Sequence, residues 1–98
     1  MNVDDGIGAD ARLMVLRELA KQTDGRLNDA VLARVLEAYG MRRSRDWVRT
    51  QLRRLADLEA IRIAEAGTVL VASLRQAGRD HVERRGVIEG VARPADED

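Results

Sequence analysis

The segment Ser44 to Leu58, SRDWVRTQLRRLADL, constrains the chain most, because its pattern suits a helix that buries one side and keeps arginines in water. Val48, Leu52 and Leu55 recur at four- and three-residue steps, and Trp47 and Leu58 widen that apolar stripe. At about 100° per residue, Asp46, Arg49, Thr50, Arg53 and Asp57 fall around the opposite face, with Arg45 at its edge. Ser44 is a suitable N-cap, since its hydroxyl can accept from a free backbone N–H of the first turn. Arg42 and Arg43 lie in the turn just before it. The window Arg42–Arg54 holds six arginines against one acid, a net +5, in a chain whose 17 basic and 17 acidic residues cancel. The remainder therefore carries −5, and the basic character is local.

The neighbouring segments supply what such a helix must pack against. Asn28 can cap a helix from Asp29 to Tyr39, with Asp29 in the first turn complementing the helix dipole. Val31, Leu32, Val35, Leu36 and Tyr39 form its stripe, and Gly40 is the expected C-terminal glycine. Only Met41 to Ser44 separates this helix from the arginine-bearing one, so the two must pack as a helix-turn-helix. Upstream, Asp10 can cap a first helix to about Gln22, with Leu13, Leu16 and Ala20 on one face; Thr23-Asp24-Gly25 ends it. Arg26 and Leu27 could add a short edge strand. After Leu58 the period changes: Ile61-Arg62-Ile63 alternates, Ala66-Gly67 offers a turn, and Thr68 to Leu74 favours a strand. From Arg75 a fourth helix is expected to about Arg85, stopped by Gly86 with Val87 making the contact that follows such a stop.

The expected architecture is mainly α with a small β-hairpin, a winged helix-turn-helix. A flexible arm over residues 1–8, a domain over 9–86, and an extended arm with an acidic tail over 87–98 complete it. At 98 residues there is room for one small domain, and 45% hydrophobic with 35% charged residues fits a folded, soluble chain. Such a domain buries a modest share of its surface, which makes a homodimer through the first and last helices a natural source of stability.

Several classes of chemistry have no residues to carry them. With no cysteine, thiolate metal sites, disulfides and cysteine nucleophiles are excluded. His81 stands alone on the inner side of the fourth helix and reads as structural, because a metal needs several convergent ligands. No nucleophile, base or phosphate loop is patterned, so neither an enzyme nor a cofactor is expected. The start MNVDDGIG is not a secretory signal, and no window reaches the roughly 18 apolar residues of a membrane span. A cytoplasmic location follows as the expectation.

Arg42, Arg43, Ser44, Arg45, Arg49, Thr50 and Arg53 are the candidates for contact with double-stranded DNA. Guanidinium groups can pair with guanine edges or clamp phosphates, and a helix start favours a phosphate. The competing structural reading is a solvated face in which Asp46 pairs Arg49 and Asp57 pairs Arg53. Such pairs contribute only about 0.2–0.5 kcal/mol each, too little to account for six arginines. The hairpin tip, Glu65-Ala66-Gly67-Thr68, carries no cation, which favours an alternative in which the arginine face docks an acidic protein partner. Trp47 and Tyr39 read as core aromatics.

The runs SRDWVRTQLRRLADLEAIRI, GTVLVASLRQAGRDHVE and GVARP resemble a small winged-helix family of Mu-like prophages often labelled as relatives of ArsR-type regulators. The resemblance covers roughly Leu13 to Pro94. It implies the winged-helix fold and a phage or prophage transcriptional regulator, with the alternative of an adaptor in phage assembly or host takeover that binds no DNA. ArsR-type metal sensors use cysteines on the DNA-reading helix, so metal sensing does not carry over to this cysteine-free chain.

Overall fold

The computed structural model describes residues 3–95. These residues form helix α1 (Val3–Lys21), strand β1 (Arg26–Asn28), helices α2 (Asp29–Ala38) and α3 (Arg45–Asp57), strands β2 (Ile61–Ala66) and β3 (Val69–Leu74), and helix α4 (Gln76–Val82). The sheet is antiparallel with order β1-β3-β2, so the possible edge strand forms and the hairpin becomes a three-stranded sheet. This small α+β arrangement is consistent with a winged helix.

The helix-turn-helix closes as its sequence requires. Asn28 Oδ1 accepts from Val31 N at 2.9 Å, and Ser44 Oγ accepts from Trp47 N at 3.1 Å, so both expected N-caps are made. Gly40, at φ 90°, ends α2. Its N–H reaches Glu37 O at 2.9 Å and the next N–H, of Met41, reaches Leu36 O at 2.8 Å, the double bond pattern of a Schellman turn. Leu32, Leu36, Val48, Leu52 and Leu55 are buried together with Leu16 and Leu19 of α1 and Ile61 of β2.

Four expectations need correction. The first helix begins at Val3, not after an Asp10 cap, so most of the expected 1–8 arm is helical; Met1 and Asn2 lie outside the described residues. Glycine at positions 6 and 8 suggests a loose arm, but tertiary contact overrides propensity. Gly8 is buried against the Arg12 side chain: a Cβ there would sit 2.9 Å from a guanidinium nitrogen, so any larger residue would have to displace that group. Tyr39 is 57% exposed rather than core, because the Schellman turn swings it off the α2 stripe. The hairpin turn is Gly67-Thr68, one residue later than Ala66-Gly67: Ala66 pairs with Val69, and Gly67 takes φ 61°. Finally, α4 stops at Val82, before Gly86. Arg84 enters the left-handed region at φ 64°, and Arg85 N reaches Asp80 O at 2.7 Å, ending the helix without a glycine; Val87 is 60% exposed.

Beyond α4 the chain folds back onto its own subunit. Val91 joins the core, and Ala92 N donates to Ala9 O at 3.1 Å. The remaining part of the expected acidic tail, residues 96–98, lies outside the described residues.

Candidate nucleic-acid interface

The candidate residues of α3 divide into two sets with different surroundings. Arg45 and Arg49 turn toward α2 and the wing. Arg49 Nε donates to Asp29 Oδ2 at 2.6 Å, and an Arg45 guanidinium nitrogen donates to the same oxygen at 3.1 Å. Both side chains also donate to Thr68 O at the hairpin tip, at 2.6 Å from Arg49 and 3.2 Å from Arg45. The other Asp29 oxygen accepts from Leu70 N at 3.0 Å. One buried carboxylate therefore ties the first turn of α2, the face of α3 and the start of β3.

Burial by itself would raise the Asp29 carboxyl, but hydrogen bonds from Arg49, the Leu70 N–H and Arg45 outweigh it and hold it at about 2, below the ordinary 3.8. The carboxylate side chain is wholly buried while those of Arg45 and Arg49 are 47% and 26% exposed, so its two guanidinium partners reach it from the solvent side and the Leu70 N–H from within. The partner of Arg49 is thus Asp29 rather than Asp46, and no ion pair joins Arg53 to Asp57 among the described residues.

The second set faces water. Arg42, Arg43, Thr50, Arg53 and Arg54 are all exposed. Arg42 makes a long 3.8 Å contact with Glu37, and the Arg43 guanidinium stands 5.4 Å above the ring of Trp47. That ring is half-buried against the core, so it is a platform as well as packing. Thr50 Oγ1 donates back to Asp46 O at 3.0 Å, and Ser44 is spent on the cap. Arg53 and Arg54 have no ion-pair partner among the described residues. Arg54 falls between the two faces of the helical wheel, so periodicity does not assign it to the exposed side, where the structure places it.

The sequence marks Asp29 only as a first-turn acid and gives Gln51 no role, yet both are buried anchors. Gln51 Oε1 accepts from a buried Arg12 guanidinium nitrogen at 2.6 Å, joining α3 to α1. His81 is buried with both ring nitrogens engaged: Nδ1 accepts from Ile88 N at 3.0 Å, and Nε2 lies 2.8 Å from Ala92 O, which fixes Nε2 as the protonated nitrogen. Among the described residues no group of three or more His, Asp or Glu side chains could hold a metal, and no helix is long and apolar enough to cross a membrane.

No family model matches the chain, and no solved structure does. It is similar to uncharacterized protein gp26 of Escherichia phage Mu, 34% identical over 92 residues that cover 94% of this chain and 95% of that one. A match of that extent, covering nearly the whole chain, places this chain in the family of the phage Mu protein gp26.

Proposed function

We propose that this phage protein is a winged-helix DNA-binding protein, serving as a transcriptional regulator, that lays α3 in the major groove of double-stranded DNA. The observation that carries the reading is the second arginine set: Arg42, Arg43, Arg53 and Arg54 stand in water along one rigid helix and its leading turn. A 13-residue helix is about 20 Å long, enough to place cations at both ends of a groove contact. Arg45 and Arg49 act differently from the simple expectation. They hold α3 and the wing tip in a fixed relation, which reduces the ordering cost of docking, and the half-exposed Arg45 can still reach a phosphate.

Binding of the purified chain to a mixed-sequence duplex, measured by fluorescence anisotropy over a salt series, tests this. Replacing Arg53 and Arg54 with alanine removes two cations without touching the Asp29 cluster. The slope of log K against log salt should then fall by about 2, at roughly 0.9 per phosphate contact. A wild-type chain that fails to bind duplex at low salt overturns the proposal.

A second reading is favoured by the wing tip, whose Thr68 carbonyl is already occupied by Arg45 and Arg49 and whose residues Glu65 to Thr68 bring no cation. In it the same arginines dock an acidic protein partner. In either reading a second copy would meet this one at α1 and α4, where a groove of about 550 Å³ among Met14, Arg17, Tyr39 and Val82 lies open.

A further inference from the structure

The outer face of the sheet carries a second cationic site, separate from α3. Alternation along the strands sends Leu27, Ala72 and Ile63 inward, toward the helices, and puts Arg26, Ser73 and Arg62 in one cross-strand row on the solvent side. Arg26 pairs with Ser73 across one ladder and Arg62 pairs with Ser73 across the other, so the two arginines flank one serine. Two strand spacings put their backbones about 10 Å apart. Arg75, two residues beyond Ser73 on β3's exit, joins them at the rim of a basin of about 500 Å³ floored by Ala64 and Val71.

All three arginines are exposed, and none has a carboxylate partner among the described residues. The adjacent Asp24 carboxylate is taken by the backbone N–H of Arg26 at 3.1 Å and does not line the basin. Three cations on one face with no acid lining the basin give it a positive potential that favours an anionic ligand.

We infer that this basin binds an acidic peptide segment of a partner protein. The floor decides against a nucleic acid: a duplex presents a convex row of phosphates and has no use for alanine and valine beneath the guanidiniums. A peptide offers carboxylates to Arg26, Arg62 and Arg75, and small apolar side chains to the floor. Position separates the two surfaces as well. From Ser73 to the hairpin tip at Thr68 the strand covers about 16 Å, and the exposed residues over that span add Glu65 and no cation. No cation therefore bridges the two surfaces by way of the wing tip, and a regulator could hold DNA and an acidic partner together; Arg75, whose N–H reaches Ala60 O at 3.0 Å, is the member of the basin nearest the end of α3.

The test uses the full chain and a fluorescein-labelled peptide alternating glutamate and leucine, with a glutamine-for-glutamate peptide as control. The triple variant Arg26→Gln, Arg62→Gln, Arg75→Gln is compared with Arg53→Ala, Arg54→Ala. The acidic peptide should bind the wild type at least about tenfold tighter than the neutral one, lose about tenfold in the triple variant, and be unaffected in the α3 variant. In amide and arginine Nε NMR spectra its addition should move Arg26, Arg62, Arg75 and Val71. Equal binding of both peptides, or equal loss in both variants, overturns the inference. Loss of duplex binding in the triple variant also overturns it, by making the sheet face part of the DNA surface. Failure of duplex binding in the wild type leaves the peptide result standing, so the two readings fail separately. Because the three side chains are exposed, an unchanged melting temperature shows that the triple variant is folded.

Discussion

Asp29 is the residue on which the orientation of α3 depends. Its carboxylate, wholly buried, accepts from two guanidiniums and one backbone N–H, and each would be left short of a partner without it. Its folded-state value of about 2 lies below the ordinary 3.8. The stabilisation it brings is therefore complete above pH about 4 and is lost as pH falls from there toward 2, amounting to about 2 kcal/mol. Asp29→Asn keeps the shape and one acceptor but removes the charge. It should lower stability at neutral pH by about 2 kcal/mol and flatten the stability profile between pH 4 and 2, as chemical denaturation across that range would read. A variant with the same acid slope as the wild type would show that Asp29 is not the titrating group. The same reasoning bars Arg49→Ala as a probe of DNA contact, since it disturbs this cluster before it touches any ligand.

At the scale of elements, two junctions show where close packing outweighs propensity. A Cβ on Gly78 would lie 2.4 Å from Ala60 O, so α4 seats directly on the backbone that leads into β2. Alanine favours a helix over glycine by about 1 kcal/mol, but a clash with backbone cannot be relieved by a rotamer. Gly78→Ala should therefore destabilise by a net 1–3 kcal/mol or so in urea unfolding. The reverse logic holds at Glu59, which ends α3 at φ 62° with its N–H on Ala56 O at 2.9 Å. Glycine avoids the left-handed penalty there, and Glu59→Gly should be neutral or stabilising by about 0.5 kcal/mol. Caps, stripes and strand alternation were legible because each is a local rule, and Ser44, Asn28, Gly40 and the Val48-Leu52-Leu55 run all act as their types suggest. The buried polar anchors were less so, although a signal existed. Arg12 precedes Leu16 and Leu19 by four and seven residues, Asp29 precedes Leu32 and Leu36 by three and seven, and Gln51 lies three after Val48 and four before Leu55. Each polar residue interrupts an apolar stripe, which is where a hydrogen-bonded interior polar group belongs. Which partner it meets depends on tertiary placement that spacing does not encode. The end of α3 is legible from the change of period after Leu58 even though Glu59 holds the left-handed position, whereas the end of α4 is not, because Arg84 occupies the position that a glycine would have marked.

Across the whole molecule, the balance of charges conceals a partition: cations gather on α3 and on the outer sheet face, while interior polar groups knit the elements behind them. The returning C-terminal segment is the last piece of that interior. It is held by Ile88 N and Ala92 O on the two nitrogens of His81, by Arg12 Nε on Gly90 O at 2.9 Å, by Arg84 on Ala95 O, and by Val91 in the core. Arg12 also reaches Gln51, so one guanidinium spans from the returning segment through α1 to α3. His81→Leu fills similar volume but strands one part-buried N–H and one part-buried carbonyl, at a cost of about 1–2 kcal/mol. Amide hydrogen exchange resolves where that loss falls. The Ile88 and Ala92 amides should exchange at least about tenfold faster, with Arg49, Leu52 and the rest of α3 keeping their protection relative to the global unfolding limit. If α3 amides accelerate by the same factor as Ile88, the segment is not a separately opening unit, and the C-terminal return and α3 form one cooperative structure.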